Sequence, residues 1–317
     1  MSNSSALRKP AQLRAKYTEE PKWFAERAIR KVDRGGSSKA YDLGFDRCLA
    51  AQQRFRAIMS LFLLNTDEPP LDVDESPAHK LIRHKSISRL LCYTMTFSPQ
   101  YDEFMILSDM PDHIIQSVRM PGLRRHCIGD KQDSLLLSHV PTGARVRFCR
   151  WETSHPSHRR DLRVYPLHFN DVPADTALVD EERAALEAVP EMHPDSERLL
   201  AGLVSRVWLS SKREGWAVSG LTWDALGRSF EPFETQPDFH FRYLWGSGTE
   251  WLLRWSGWGS VPTADVARAL THDHVGLEGA RAVHDGPNRS VVRLGHARLV
   301  LECNLAADYE AKQGGRR

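Results

Sequence analysis

A chain of 317 residues, 41% hydrophobic and 26% charged, can bury a sizeable core and needs no disulfide or metal staple to fold. No apolar run reaches bilayer-spanning length, the basic start lacks the apolar stretch of a secretory signal, and five scattered cysteines (Cys48, Cys92, Cys127, Cys149, Cys303) suit reduced thiols in a cytoplasmic protein. The net charge of +2 conceals a split: up to Arg163, basic residues outnumber acidic ones 27 to 19, and from Val164 on they are outnumbered 16 to 22, which points to a polyanion partner for the first half.

Residues 1–19 read as a flexible basic arm. Helical spacing begins near Pro21, where Phe24, Ala28 and Val32 recur four apart, and Gly35-Gly36 ends it. A second helix is predicted over 38–64, with Leu43, Leu49, Phe55, Ile58, Met59 and Phe62 on its buried side. After an acidic loop, Ser76-Pro77 opens a third helix that the spacing of Leu81, Leu90 and Leu91 extends to about Met95: a hydroxyl cap followed by proline in the first helical position. The period then changes. Strands are expected over 103–107, 134–140, 145–150 and 162–169, with a short helix over 111–119 between the first two. Pro166 marks the last as an edge or broken strand.

The stretch 170–176 reads as a domain boundary. Helices follow over 180–189 and 195–208. Seven of the nine tryptophans then fall between Trp208 and Trp258. Phe239, Phe241, Tyr243 and Trp245 alternate, as do Trp251, Leu253 and Trp255, around Gly246-Ser247-Gly248-Thr249, the signature of a hairpin. These two strips are expected to be buried, and Trp258, set among glycines, to be exposed. Beyond Pro262 the order is helix, turn at His272-Asp273, second short helix with Leu277, Ala280 and Val283, then strands 290–294 and 297–302. That order describes part of a winged helix-turn-helix. No internal repeat is apparent. The fold class is α+β: an N-terminal helical region, a mixed or antiparallel sheet, and an aromatic-rich C-terminal α+β domain with a winged-helix-like end. The division is an arm (1–19), a first domain (20–169), a second (177–305) and a polar tail (306–317).

Most catalytic signatures are missing. The sequence has no Gly-rich phosphate loop, no G-x-S-x-G elbow, no C-x-x-C pair and no H-E-x-x-H, so no cofactor and no metal site is assigned. An enzyme would have to use a site such as Cys127, beside Arg125 and His126, with His155 and His158. His272 and His274, flanking Asp273, read as surface residues.

The leading expectation is a non-catalytic nucleic-acid-binding protein of a bacterium or mobile element, part of a larger assembly, contacting DNA or RNA phosphates through arginines. Arg is preferred over Lys, which suits phosphate recognition but also follows from a GC-rich genome. The expected contacts are Arg124, Arg125 and Lys131 around one loop, and Arg145, Arg147 and Arg150 on a strand. Arg159, Arg160 and Arg163 follow, with Arg281 on the recognition helix and Arg289, Arg293 and Arg298 on the hairpin. The acidic half would serve a protein partner or a second copy of the chain. The alternative to nucleic acid is an adaptor that docks through its Trp-rich C-terminal half.

Overall fold

The computed structural model describes residues 3–30, 42–66, 73–87, 95–108, 120–125, 134–150, 176–211, 216–217, 241–256 and 261–304. These form seven helices, two mixed five-stranded sheets and one short two-stranded pair, an α+β fold.

The first sheet contains β1 (Met95–Pro99), β2 (Phe104–Ser108), β3 (Leu123–Arg125), β4 (Ser134–His139) and β5 (Ala144–Arg150), in the spatial order β1-β2-β5-β4-β3. Only the central β2–β5 pair is parallel. A short pair, β6 (Ser210–Ser211) and β7 (Trp216–Ala217), intervenes. The second sheet contains β8 (Phe241–Ser247), β9 (Glu250–Ser256), β10 (Arg281–His284), β11 (Arg289–Leu294) and β12 (Ala297–Asn304). Its order is β8-β9-β12-β11-β10, again with only the central β9–β12 pair parallel. The two sheets share one topology.

The correspondence extends to register. Pro99 faces Phe104 and Phe104 faces Val146 in the first sheet; Gly246 faces Trp251 and Trp251 faces Leu299 in the second. A helix precedes each sheet: α3 (Ala50–Leu63) the first, and α6 (Pro194–Arg206) the second. These helices pack directly on each other. The residue two beyond each helix reaches the edge strand of the other sheet, at equivalent positions. Asn65 exchanges hydrogen bonds of 2.9 Å with the backbone of Leu244, and the Trp208 ring lies 3.9 Å from that of Phe97. The structure therefore repeats one topology in its two sheets, a repeat that the sequence does not reveal. Burial fixes which positions are apolar, not which apolar residue fills them. Asn65 matches Trp208 and Phe104 matches Trp251, so little identity survives. One apolar cluster, from Tyr17 to Cys303, serves both units.

Other elements differ from expectation. The expected arm is helix α1 (Asn3–Thr18), with Arg14 buried and paired to Glu20. α2 (Lys22–Arg30) follows, and its Phe24 packs on Met105, Leu107 and Cys149 of the first sheet's outer face. The helix expected over 38–64 is α3 alone. Residues 42–49 stay irregular, held by buried arginines: Arg14 donates to the carbonyl of Leu43 at 2.7 Å, and Arg56 to that of Phe45 at 3.2 Å. α4 (Pro77–His84) begins as expected, with Ser76 Oγ accepting from the backbone N–H of His79. It stops early because Ser86 and Ile87 both bond the carbonyl of Phe62 at the end of α3. α5 (Asp180–Glu187) and α6 match the helices expected there.

After α7 (Thr263–Thr271) no second helix forms. Residues 272–280 are turns, and Arg281 lies on strand β10. Gly276 explains part of this, since a Cβ there would come within 2.5 Å of the His272 backbone. The winged-helix reading is replaced by one strap of an ordinary mixed sheet. The expected helix 111–119, the strand 162–169, Phe239, Trp258 and the tail lie outside the described residues.

Candidate functional site

The arginines expected to bind phosphate divide sharply by environment. Arg124 is buried and forms a two-pronged pair with Glu182, at 2.8 and 2.5 Å, while also donating to the carbonyls of Leu123, Thr176 and Ala177. Arg124 holds the Glu182 carboxyl down to about 2. This arginine ties β3 to the start of α5. Arg145 pairs with Asp102 at 3.2 Å and Arg147 with Glu103 at 3.0 Å, across the β1–β2 hairpin. Arg289 pairs with Asp285 and with Glu302. Each of these four is matched to a carboxylate, so no uncompensated positive surface arises from them. Arg125 and Arg150 are half-buried. Lys131, Arg159, Arg160 and Arg163 lie outside the described residues, as do Cys127, His155 and His158.

Cys149 and Cys303 are buried, and burial pushes the Cys48 thiol up from its ordinary value. A cleft of about 210 Å3 opens between residues 42–47 and the loop after α7. Within it Arg47 pairs with Asp42 and Arg206 with Asp46, each at 2.6 Å.

The second sheet presents a different surface. In its hairpin the two aromatic strips face opposite ways, because Trp251, Leu253 and Trp255 stand across from Gly246, Leu244 and Arg242. Trp251 and Trp255 join the core. Phe241, Tyr243 and Trp245 belong to the outer face, where Phe241 and Tyr243 are buried and Trp245 is half-buried. Register carries this face across all five strands. One row is Val283, Val291, Val300, Leu252 and Trp245. Its middle is buried, while Val283 at the β10 end is 60% exposed.

The adjoining row on the same face is Arg281, Arg293, Arg298 and Glu250. Arg298 pairs with Glu250 at 2.8 Å. Arg281 and Arg293 stand directly opposite each other, both exposed, with no carboxylate partner among the described residues. Like charges directly opposite on a sheet destabilise it.

The same face of the first sheet is not bare. There α2 lays Phe24 over Met105 and Leu107, and its Arg27 pairs with Glu103. Leu252 occupies the position equivalent to Met105, by register with the parallel central strand. Among the described residues no helix covers this row; α6 and α7 pack on the opposite face of the sheet, and α4 touches it only at the β8 margin, where His79 meets Tyr243 and Trp245.

Of the residues expected at a site, Arg281, Arg293 and Arg298 are thus brought into one row, and Arg289 into a row on the far side of the valines. The apolar row was missed. The alternation of each strand was legible, but the register that aligns Val283 with Trp245 across four pairings was not. Comparison with protein-family models, with curated proteins and with solved structures returns no match.

Proposed function

We propose that the chain is a non-catalytic adaptor that docks an amphipathic, acidic helix of a protein partner at the β10 end of the outer face of its second sheet, where Val283, Arg281 and Arg293 are exposed. The observation that carries this reading is the opposed pair Arg281 and Arg293. Two unneutralised guanidinium groups facing each other cost folding energy, and they lie beside an apolar row whose end, Val283, is exposed. The covered first sheet supplies the geometry. Its helix α2 buries an aromatic residue over the strands and closes with an ion pair. A partner helix would do the same here with the charges exchanged, its carboxylates meeting the arginines.

Nucleic acid is the rival reading, favoured by three arginines in one row. Val283, the apolar residue exposed beside the arginines, offers a base nothing to stack on, and Trp245 lies half-buried at the opposite, β8 margin of the row. The deciding experiment selects helical peptides by display on the full chain, with counter-selection on the Val283→Asp variant. The adaptor reading expects peptides with apolar residues at helical spacing and Asp or Glu beside them, bound about tenfold or more weakly by Arg293→Glu. Selected peptides without acidic enrichment, or equal binding to Val283→Asp, would overturn it. So would a mobility shift of DNA or RNA that weakens steeply with salt and disappears in Arg293→Glu.

A further inference from the structure

The turn between β11 and β12 is seated on the first turn of α6 by a single carboxylate. Asp195 Oδ2 accepts the backbone N–H of His296 at 2.8 Å, and lies 3.2 Å from His296 Nδ1 and 3.6 Å from His193 Nδ1. This approach requires glycine at 295, where φ is +57° and a Cβ would come within 2.3 Å of Asp195 Oδ2. The two imidazole rings meet edge to face, 5.3 Å between centroids. One donor atom from each of the three residues lies within 4.8 Å of the other two.

The other half of the site is equally fixed. Residues 191–196 are tied to the turn of the β8–β9 hairpin: the N–H of His193 and the hydroxyl of Ser196 both donate to the carbonyl of Gly248, at 3.0 and 2.7 Å, and the N–H of Gly248 donates to the carbonyl of Glu191. Three turns of the second unit therefore converge on one point. His193 Nδ1 accepts the backbone N–H of Asp195 at 3.2 Å, and because an imidazole nitrogen has a single in-plane lone pair, an ion bound at Nδ1 displaces that hydrogen bond. Donors around a tetrahedral zinc ion stand about 3.3–3.5 Å apart, and the two separations to Asp195 Oδ2 bracket that value.

We propose that His193, Asp195 and His296 form a three-ligand site for a borderline divalent transition metal, zinc by its donor set, which staples the β11–β12 turn to α6. Two imidazoles and one carboxylate favour zinc, cobalt or nickel over calcium and magnesium, which take oxygen ligands. The ion would sit near the positive end of the α6 dipole, and the carboxylate within its own ligand set offsets that cost. His296 is 81% exposed in its side chain, so the fourth position opens to water. No local motif marks this site, because Asp195 and His296 stand 101 positions apart in the chain.

The test uses the full chain, stripped with a chelator and dialysed, then titrated with Zn2+ by calorimetry and with Co2+ by visible absorption. One equivalent is expected to bind, with the intense d–d absorption of a four- or five-coordinate cobalt centre and a rise in melting temperature on adding zinc. His296→Ala, at an exposed position, is expected to fold normally, to bind about tenfold or more weakly and to lose the thermal shift. Asp195→Asn, which keeps an oxygen for the turn N–H, is expected to weaken binding too, while His274→Ala leaves it unchanged. No stoichiometric metal at micromolar zinc, or wild-type binding by both His296→Ala and Asp195→Asn, would overturn the proposal.

Discussion

His139 shows how one buried side chain sets the acid limit of the fold. It is fully buried in β4, with Nδ1 2.9 Å from the hydroxyl of Thr142, and burial lowers its pKa to about 4. In the unfolded chain a histidine titrates near its ordinary value, so between about pH 6.5 and pH 4 the unfolded state binds more protons. Stability is therefore complete above pH 6.5 and falls as pH drops through that window, by about 3 kcal/mol. Denaturant titrations of His139→Gln at several pH values should show that slope removed; an unchanged slope would clear His139. Glu182 acts lower, its stabilisation present above its ordinary pKa and lost as pH falls toward 2. Three buried arginines add a second kind of constraint. Arg14 and Arg206 flank the Phe45 ring at 4.7 and 5.5 Å, and Arg56 lies 5.5 Å from that of Phe104. Their carbonyl and carboxylate partners lie within the fold, so these three arginines contribute packing rather than surface charge.

At the scale of elements, the junction of α3, α4 and β8 is the most specific. The Asn65 amide donates both N–H groups, to the carbonyls of Leu61 and Leu244, which leaves its Oδ1 to accept from Leu244 N–H and His79 Nε2–H. His79 Nδ1 then faces Glu75 at 2.8 Å. Asn65→Ala strands several buried polar groups and should cost about 2–4 kcal/mol in urea unfolding; a loss under about 1 kcal/mol would show that the junction relaxes instead. Strands with strict alternation and helices with a marked cap, such as the hairpin β8–β9 and the start of α4, were legible in the sequence. The end of α4 and the turns at 272–280 were not, because tertiary contacts with α3 and backbone crowding at Gly276 decided them. Site residues followed the same rule. Chemistry carried by neighbours in the chain could be read, whereas rows built across strands, or ligands a hundred residues apart, required the register.

For the molecule as a whole, two units of one topology share one core. Leu203 of α6 is fully buried within the cluster shared with α3. Calorimetry should give a single transition, and Leu203→Ala, at a cost of about 2–5 kcal/mol, should lower it without splitting it. Two separate transitions would mean that each unit keeps its own core. In one unit α2 packs on the outer face of the sheet, and in the other the β10 end of the equivalent face exposes Val283 and the opposed arginines. Arg281→Glu tests that account most directly, because it replaces a repulsive cross-strand pair with an attractive one. Measured together by denaturant unfolding and by binding of the selected acidic peptide, the variant should gain about 0.2–1 kcal/mol in stability and lose the peptide. A variant no more stable than the parent that still binds the peptide would contradict the assignment of this face to recognition.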